Sequence, residues 1–236
     1  MQITEDMAAR WKGDTGGCVL AEAAYGLTET HTFDTFMPLD KPRYESGCCG
    51  IPIMGSEMKI VSLEDKSREV PFGEMGEIII NCPGNLKGYW NNPEANKDTL
   101  VNGWVHTGDM GKIDAEGYLY WLGRMKEMIK VSGFSVFPEE VEAFLMRHEA
   151  VEKVAVIGAP HDKKGEIIKA FVVLKPEYKG KVTSADIIKW AKEGISSLKV
   201  PHEIEFKEEL PMSYVGKVLR RVLLEEEQKK AKEGGK

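Results

Sequence analysis

Residues 123–142 of this chain read GRMKEMIKVSGFSVFPEEVE, and the character of the sequence changes across them. Before this stretch, Gly and Pro turn signals separate short apolar runs, which is typical of a β-rich body such as a small barrel or sandwich. Inside it, Pro138 suits the first position of a helix, and Glu139 and Glu140 favour the positive end of the helix dipole. The stretch predicts an α+β chain in two parts, a β-rich part over residues 1–123 and a smaller α+β part over residues 124–236.

Local patterns predict the elements of both parts. In the first part, strands are predicted at 58–61 and 77–80, followed by a hairpin of 104–113 and 118–122. In the second part, a helix from Pro138 should bury a stripe of Val141, Phe144, Leu145 and His148. Further predictions are strands at 154–158 and 170–174, a helix capped by Ser184, an edge strand at 204–206 and a last helix from Val218.

Composition narrows the class of protein. With 236 residues, 42% of them apolar and 30% charged, the chain can form a real core and is not disordered, collagen-like or disulfide-dense. Its four cysteines form no CxxC pair, which favours free thiols in a reducing compartment. No apolar run reaches the roughly 18–20 residues of a membrane span, and the first residues lack the order of a signal peptide. These features predict a cytoplasmic protein without a membrane span.

The charge is distributed unevenly along the chain. The net charge of −6 argues against nucleic acid as a partner. Residues 1–123 hold 10 Lys and Arg against 19 Asp and Glu, and residues 124–236 hold 22 against 19. A basic module beside an acidic one suits contact with phosphates, and chance variation of the surface is the alternative.

Four segments stand in a fixed order, whereas phosphate-loop, dinucleotide and metalloprotease motifs are absent from the sequence. They are YGLTET at 25–30, GWVHTGD at 103–109, the stretch at 123–142 and PMSYVGK at 211–217, with GEI at 76–78 and GYW at 88–90 in support. Together they resemble the adenylate-forming superfamily, which includes acyl-CoA synthetases, aryl-CoA ligases, luciferases and peptide-synthetase adenylation domains. The resemblance covers about residues 17–223.

The resemblance implies a reaction in two halves. A carboxylate attacks the α-phosphate of Mg²⁺-bound ATP to give an acyl-adenylate and pyrophosphate, and a thiol then displaces AMP. Coenzyme A is the expected thiol and a fatty or aryl acid the expected carboxylate. The implied cofactors are therefore ATP or AMP, Mg²⁺ and coenzyme A.

The resemblance also assigns residues to the nucleotide. Asp109 matches the carboxylate that accepts both ribose hydroxyls, and Arg124 matches a second ribose contact. Thr28 matches a phosphate donor and Glu29 a Mg²⁺ ligand, roles that suit a hydroxyl and a hard oxygen. Tyr25 matches the aromatic that packs on adenine. The structural alternatives are a capping Asp, a surface Arg, a turn with a surface acid, and a core aromatic.

The remaining matches belong to a mobile C-terminal domain. Lys217 resembles the lysine that stabilises charge between the carboxylate and the α-phosphate, and Gly216 gives its loop conformational freedom. Lys126 matches the hinge around which this domain turns between the two half-reactions. Lys130 and Gly133 match the side that faces coenzyme A. A surface lysine is the alternative for Lys130 and for Lys217.

One departure from the family pattern affects the expected function. Members carry a Ser/Thr/Gly-rich loop that grips the ATP phosphates well upstream of the segment at Tyr25, and only 24 residues precede Tyr25 here. The chain is therefore expected to be the C-terminal portion of a synthetase, with an incomplete large domain and a whole small one, and to be inactive alone. It could be a non-catalytic fragment or a split subunit that binds nucleotide or a complementing N-terminal portion. A stand-alone adenylating enzyme with another thiol acceptor is a further alternative, and the acyl chain length stays open.

Overall fold

The computed structural model describes residues 3, 5–21, 25–31, 33–161, 164–214 and 216–234, with side chains as far as residue 230. The chain divides into two compact units, Met1–Met125 and Lys126–Lys236. All four cysteines are free thiols. In the described ranges, no helix combines the length and the apolar character that crossing a membrane requires.

The N-terminal unit is built around one open antiparallel sheet. Its elements are α1 (Glu5–Asp14), a 3₁₀ turn (Thr28–Thr30), β1 (Thr35–Phe36), β2 (Ile51–Pro52), β3 (Glu57–Val61), β4 (Gly76–Asn81), α2 (Pro93–Thr99), β5 (Leu100–Val101), β6 (Trp104–Ile113) and β7 (Leu119–Arg124). The sheet order is β3-β4-β6, with β5 and β7 both paired to β6, and β1 and β2 form a separate pair. The strand predictions and the hairpin are confirmed. Of the two expectations for this unit, a small barrel or a sandwich, the described residues do not form the barrel, since β3 at one edge of the sheet pairs with neither β5 nor β7 at the other.

The core of this unit lies against β4. Ile78 and Ile80 are fully buried and pack with Ile60, Ile113 and Leu119. The hairpin that brings Leu119 there turns at Asp114, whose carboxylate accepts the backbone N–H groups of Glu116 and Tyr118 at 2.9 and 3.0 Å. The turn chemistry predicted from the sequence therefore also sets the register of β7 on β6.

The C-terminal unit is an α+β body with helices on both faces of a sheet. Its elements are a 3₁₀ turn (Met125–Glu127, which begins in the N-terminal unit), β8 (Ile129–Val131), β9 (Phe134–Val136), α3 (Pro138–Leu145), β10 (Val151–His161), β11 (Gly165–Leu174), a 3₁₀ turn (Pro176–Tyr178), α4 (Ser184–Gly194), β12 (Glu203–Phe206) and α5 (Arg220–Gly234). The sheet order is β10-β11-β8-β9, and β12 joins β11 in parallel. The predicted strands at 154–158 and 170–174 extend into a long hairpin.

Alternation along β11 explains the two-sided burial. Ile168, Ala170 and Val172 face one core together with Leu145 of α3 and Ile187 of α4. Phe171 and Val173 face the other core, where Leu223 of α5 is fully buried. Because successive side chains of a strand point to opposite faces, a continuous apolar run is what a strand covered on both faces requires.

The structure corrects three helix boundaries. α3 starts at Pro138 as predicted but ends at Leu145, so His148 lies beyond it and its ring packs edge-on against Trp190 with centroids 5.0 Å apart. The cap of α4 is Thr183 rather than Ser184. α5 begins at Arg220 rather than at Val218, because Val218 forms a β-bridge with Met212.

Candidate functional site

A bulge in β6 displays Asp109. Glu77 of β4 pairs with Met110 and Ile79 pairs with His106, so one residue of β4 faces three residues of β6. Gly108 at the bulge has a φ of 70°, a left-handed conformation that glycine adopts without strain. The Asp109 amide donates to the Thr107 hydroxyl at 3.0 Å. The extra residues have no partner on β4, so on that side the Asp109 carboxylate is positioned by side chains, whereas β7 pairs with Asp109 on the other side.

Glu77 and His106 support this bulge from behind. The Glu77 side chain is 2% exposed and accepts the Gly108 N–H at 3.1 Å, and its other oxygen lies 3.0 Å from His106 Nδ1. Lys66 Nζ lies 3.2 Å from the same carboxylate. Sequence reasoning missed both residues as a unit. An acid at an inward position of a buried strand is the signal that could have found Glu77.

Asp109 forms the centre of a small polar group in the N-terminal unit. It is 4% exposed, and its Oδ2 accepts the Tyr25 hydroxyl at 2.8 Å. Arg124 lies opposite it on β7, with Nε 3.6 Å from Oδ1 and half of its side chain exposed. Burial, and then the negative charge of Asp109, raise the pKa of the Tyr25 phenol, which stays a proton donor. The structure thus brings together three residues that sequence analysis assigned to the nucleotide.

Tyr25 is itself a core residue. Its ring packs in the cluster around Ile60, Ile78 and Ile80. This is the structural alternative that the sequence left open for Tyr25, with the addition that its hydroxyl orients Asp109.

Thr28 and Glu29 lie on the short 3₁₀ turn that follows. Thr28 is exposed, and the half-buried Glu29 accepts the Tyr89 hydroxyl on Oε1 at 2.7 Å. Burial and the hydrogen bond to Glu29 raise the pKa of the Tyr89 phenol. The Leu86 amide donates to the Glu29 carbonyl at 2.7 Å. Glu29 is therefore held in place by the segment that carries the supporting GYW motif.

In the C-terminal unit, Lys217 lies on a hairpin that leads into α5. The Ser213 amide donates to the Lys217 carbonyl at 2.7 Å, and the Lys217 amide donates to the Ser213 hydroxyl at 3.0 Å. Gly216 has a φ of 74° and the Lys217 side chain is exposed. The hairpin therefore fixes the lysine backbone while its ammonium group faces solvent.

The other residues of this unit that the sequence singled out lie near its start. Lys126 is exposed in the 3₁₀ turn at the unit boundary. Lys130 is exposed on β8, and its amide donates to the Glu166 carboxylate at 2.7 Å. Ser132 and Gly133 have φ values of 50° and 87° and join β8 to β9 in a tight two-residue turn. The turn therefore requires a residue that tolerates a positive φ at position 133, whether or not a ligand binds there.

Two parts of the chain match known protein families. Residues 1–90 match the family of AMP-binding enzymes, and residues 140–217 match the AMP-binding enzyme C-terminal domain. A long-chain-fatty-acid–CoA ligase of Escherichia coli O6:H1 is 40% identical over 226 residues, which cover 96% of this chain. The chain belongs to the adenylate-forming superfamily. The family resemblance and the α+β fold class predicted from the sequence are confirmed.

Further relatives agree with this assignment. The long-chain-fatty-acid–CoA ligase of Bacillus subtilis strain 168 is 41% identical over 217 residues, 90% of this chain. ATP-bound MatB from Rhodopseudomonas palustris superposes with a TM-score of 0.81 at 34% identity over 94% of this chain. The chain spans 39% of the E. coli ligase, 37% of the B. subtilis ligase and 43% of the MatB chain.

Proposed function

We propose that this chain supplies the ribose-binding carboxylate, the hinge and the mobile lysine of an ATP-dependent acyl-CoA ligase. The ligase converts a carboxylate and ATP into an acyl-adenylate and pyrophosphate, and then transfers the acyl group to the thiol of coenzyme A with release of AMP. The observation that carries the proposal is the Asp109 carboxylate on its bulge, fixed by Tyr25 and beside Arg124, in a chain that matches both domains of the family.

Asp109 binds the ribose in this proposal. A carboxylate has two oxygens and about four lone-pair sites, which suits Asp109 to accept two adjacent ribose hydroxyls in addition to the Tyr25 hydroxyl. Arg124 keeps a half-exposed guanidinium beside the same carboxylate and adds a donor to the ribose. Tyr25 contributes by orienting Asp109 through its hydroxyl, while its ring is anchored in the core.

Glu29 and Thr28 face the phosphates. Mg²⁺ takes oxygen ligands and keeps several from water and substrate phosphates, so one carboxylate such as Glu29 is a sufficient protein ligand. The cation would neutralise phosphate charge when bound. Glu29 fits this role because the Tyr89 hydroxyl fixes one of its oxygens, and the other oxygen accepts no hydrogen bond from the described residues. The exposed Thr28 hydroxyl donates to a phosphate oxygen.

Lys217 stabilises the negative charge that the attacking carboxylate and the α-phosphate share, which is electrostatic catalysis. The hinge at Lys126 then turns the C-terminal unit and brings Lys130 and the Gly133 turn to the coenzyme A side for the second half-reaction. The relatives are named as long-chain-fatty-acid–CoA ligases, which favours a fatty acid over an aryl acid and coenzyme A over another thiol. The loop that grips the ATP phosphates comes from the part of such a ligase that this chain does not span.

ATP–pyrophosphate exchange tests this function. The portion of the B. subtilis ligase upstream of the matched region would be joined to this chain, and the chimera assayed with a panel of fatty and aryl acids. We expect exchange with fatty acids, and a loss of about 10²–10³-fold in Lys217→Ala. Lys192→Ala is the matched control, since Lys192 is an exposed lysine of the same unit. A folded chimera that binds AMP and exchanges with none of the acids would contradict the proposal.

A second function applies to the chain by itself. The residues assigned to the ribose all lie in the N-terminal unit and contact one another there, which favours nucleotide binding without the upstream portion. Calorimetry with AMP on the isolated chain should show binding, and the same chain should show no exchange.

A further inference from the structure

Arg220, the first residue of α5, lies at the centre of three carboxylates of the C-terminal unit. Its Nη1 lies 2.5 Å from Glu127 and 3.0 Å from Glu139, and its Nη2 lies 2.7 Å from Glu142. Its Nε donates to the other Glu142 oxygen at 3.1 Å, so the pair with Glu142 is bidentate. Glu142 also accepts the Val156 amide at 2.7 Å, which ties the cluster to β10. Such a forked, multiply bonded arginine fixes orientation as well as distance.

The cluster joins two segments that are far apart in sequence. Glu127 directly follows Lys126, the proposed hinge, and Arg220 lies three residues after Lys217. The Arg220–Glu127 hydrogen bond spans 93 positions. Both partners belong to the C-terminal unit, so this bond connects the first turn of the unit to the base of the Lys217 hairpin.

Among its described residues, the hairpin is held at its base, where Met212 and Val218 also form a β-bridge. Leu219 donates to the Pro211 carbonyl at 2.8 Å and closes the base, and Val218 packs with Leu210 and Leu223 beneath it. Lys217, Gly216 and Tyr214 are exposed. Two residues at the base therefore orient the hairpin. Val218 packs into the core of the unit, and Arg220 is anchored by its carboxylates.

We propose that Arg220 is a positioning residue that locks the hinge-side turn to the base of the Lys217 hairpin. A rotation at Lys126 then moves Glu127, α5 and Lys217 as one rigid piece, and the angle of the hinge fixes the place of the lysine. This inference rests on the proposed function for its meaning, whereas the lock itself is a property of the C-terminal unit.

Hydrogen exchange measured by mass spectrometry on the full chain tests the lock without any ligand. We expect Arg220→Gln to raise amide exchange about tenfold or more both in residues 126–131 and in residues 211–219, because it leaves three carboxylates without their cation. Arg221→Gln is the matched control. Its side chain is 84% exposed and pairs only with Glu225 among the described ion pairs, so both segments should keep their wild-type rates.

Two further variants separate a lock from general destabilisation. Glu127→Gln leaves Glu139 and Glu142 on Arg220 and should still raise exchange in residues 211–219, far away in sequence. Arg220→Lys keeps the positive charge but loses the forked guanidinium. Its amide exchange rates should therefore lie between those of the wild type and those of Arg220→Gln. If Arg220→Gln unfolds the whole unit, Glu127→Gln decides the question. If Glu127→Gln speeds amide exchange only in residues 126–131, the proposal is overturned.

The ligase chimera adds a functional measurement. There Arg220→Gln should lower kcat for adenylation and leave the KM for ATP unchanged, since the ribose residues lie in the other unit. Inactivity of the parent chimera would count against the proposed function, whereas unchanged exchange rates in the hairpin would count against the lock. An equal loss in Arg221→Gln would also overturn the inference.

Discussion

At the scale of single residues, the buried Asp109 carboxylate is the residue on which the proposed ribose contact depends. Asp109→Asn replaces an acceptor oxygen by a donor, so in the proposed site one ribose hydroxyl would lose its partner. Because hydrogen bonds to charged groups contribute about 1.5–3 kcal/mol, we expect the Kd for AMP to rise about tenfold to hundredfold. Calorimetry with AMP measures this change.

A variant of Tyr25, the hydrogen-bond partner of Asp109, distinguishes a residue that positions Asp109 from one that contacts AMP directly. Tyr25→Phe removes the hydroxyl that orients Asp109 and should weaken AMP binding by a smaller factor, about threefold to tenfold. Tyr44→Phe is its control, because that hydroxyl donates to the Leu20 carbonyl, away from Asp109. AMP affinity that is unaffected by Asp109→Asn would remove Asp109 from the site.

The Glu139 carboxyl should make the free energy of unfolding of the C-terminal unit depend on pH. Its Oε2 is buried and makes no hydrogen bond within the described part of the chain, and burial raises its pKa to about 7 against the opposing charge of Arg220. The folded state therefore holds a proton that the unfolded chain releases near pH 4.5, so the stabilisation is full below that pH and is lost as the pH rises to about 7. At about 1.4 kcal/mol per pKa unit, the loss is about 3 kcal/mol at most.

Glu139→Gln should remove this part of the pH dependence, because an amide does not titrate. Urea series at pH 5 and pH 8, with pulse-labelled hydrogen exchange of residues 151–174, give the free energy of unfolding of the C-terminal unit. Glu193→Gln, an exposed acid on α4, should keep the wild-type slope. Equal slopes for Glu139→Gln and the wild type would show that the Glu139 carboxyl is ionised in the fold at pH 5.

At the scale of elements, α4 shows how closely local chemistry sets a helix start. Thr183 Oγ1 accepts the Asp186 amide at 3.3 Å, and the Asp186 carboxylate accepts the Thr183 amide at 2.9 Å, a reciprocal capping box. The Thr183 hydroxyl, which lies 2.6 Å from the Asp186 carboxylate, and then the Thr183 amide lower the pKa of Asp186. Thr183→Ala should lower the free energy of unfolding by about 1 kcal/mol, whereas Ser184→Ala should change it little. Urea unfolding compares the two, and a larger loss in Ser184→Ala would place the cap one residue later.

The elements also show which predictions succeed from sequence. Pro138 starts α3 as expected, and the hairpin of β6 and β7 turns at Asp114, because both signals act between neighbours in the chain. The periodicity placed His148 on α3, but the helix ends at Leu145. The His148 ring packs against Trp190 of α4, a contact between elements that periodicity does not reveal. The open N-terminal sheet was also missed, because turn residues predict that strands alternate but not whether the first and last strands pair.

At the scale of the whole molecule, the C-terminal unit has a core of its own. The clusters on both faces of its sheet contain only residues of that unit, as does the Arg220 cluster. We therefore expect residues 126–236 to fold alone with one cooperative unfolding transition. Trp190, the single tryptophan of the unit, packs on Phe144 with centroids 4.7 Å apart and reports on this core.

Urea unfolding followed by Trp190 fluorescence and by far-UV circular dichroism checks this expectation, and the two curves should coincide. Ile187→Ala, at a fully buried position, should lower the stability by about 2–5 kcal/mol. The exposed Leu198→Ala is the milder control. Separate curves for the two probes would mean that the isolated unit does not unfold in one cooperative transition.

The sequence by itself determined the superfamily, the α+β class and the order of the segments that contain Asp109, Arg124 and Lys217. The superfamily came from the resemblance of four motifs in a fixed order, and the α+β class came from periodicity, caps and turns, which are encoded among neighbouring residues. Only the tertiary structure decided which partners act on them: Tyr25 holds Asp109 across 84 positions, Glu77 supports the bulge beside His106 across 29, and Arg220 reaches Glu127 across 93. Such pairs depend on strand register and on which polar groups become buried together, and both are fixed only when the whole chain packs.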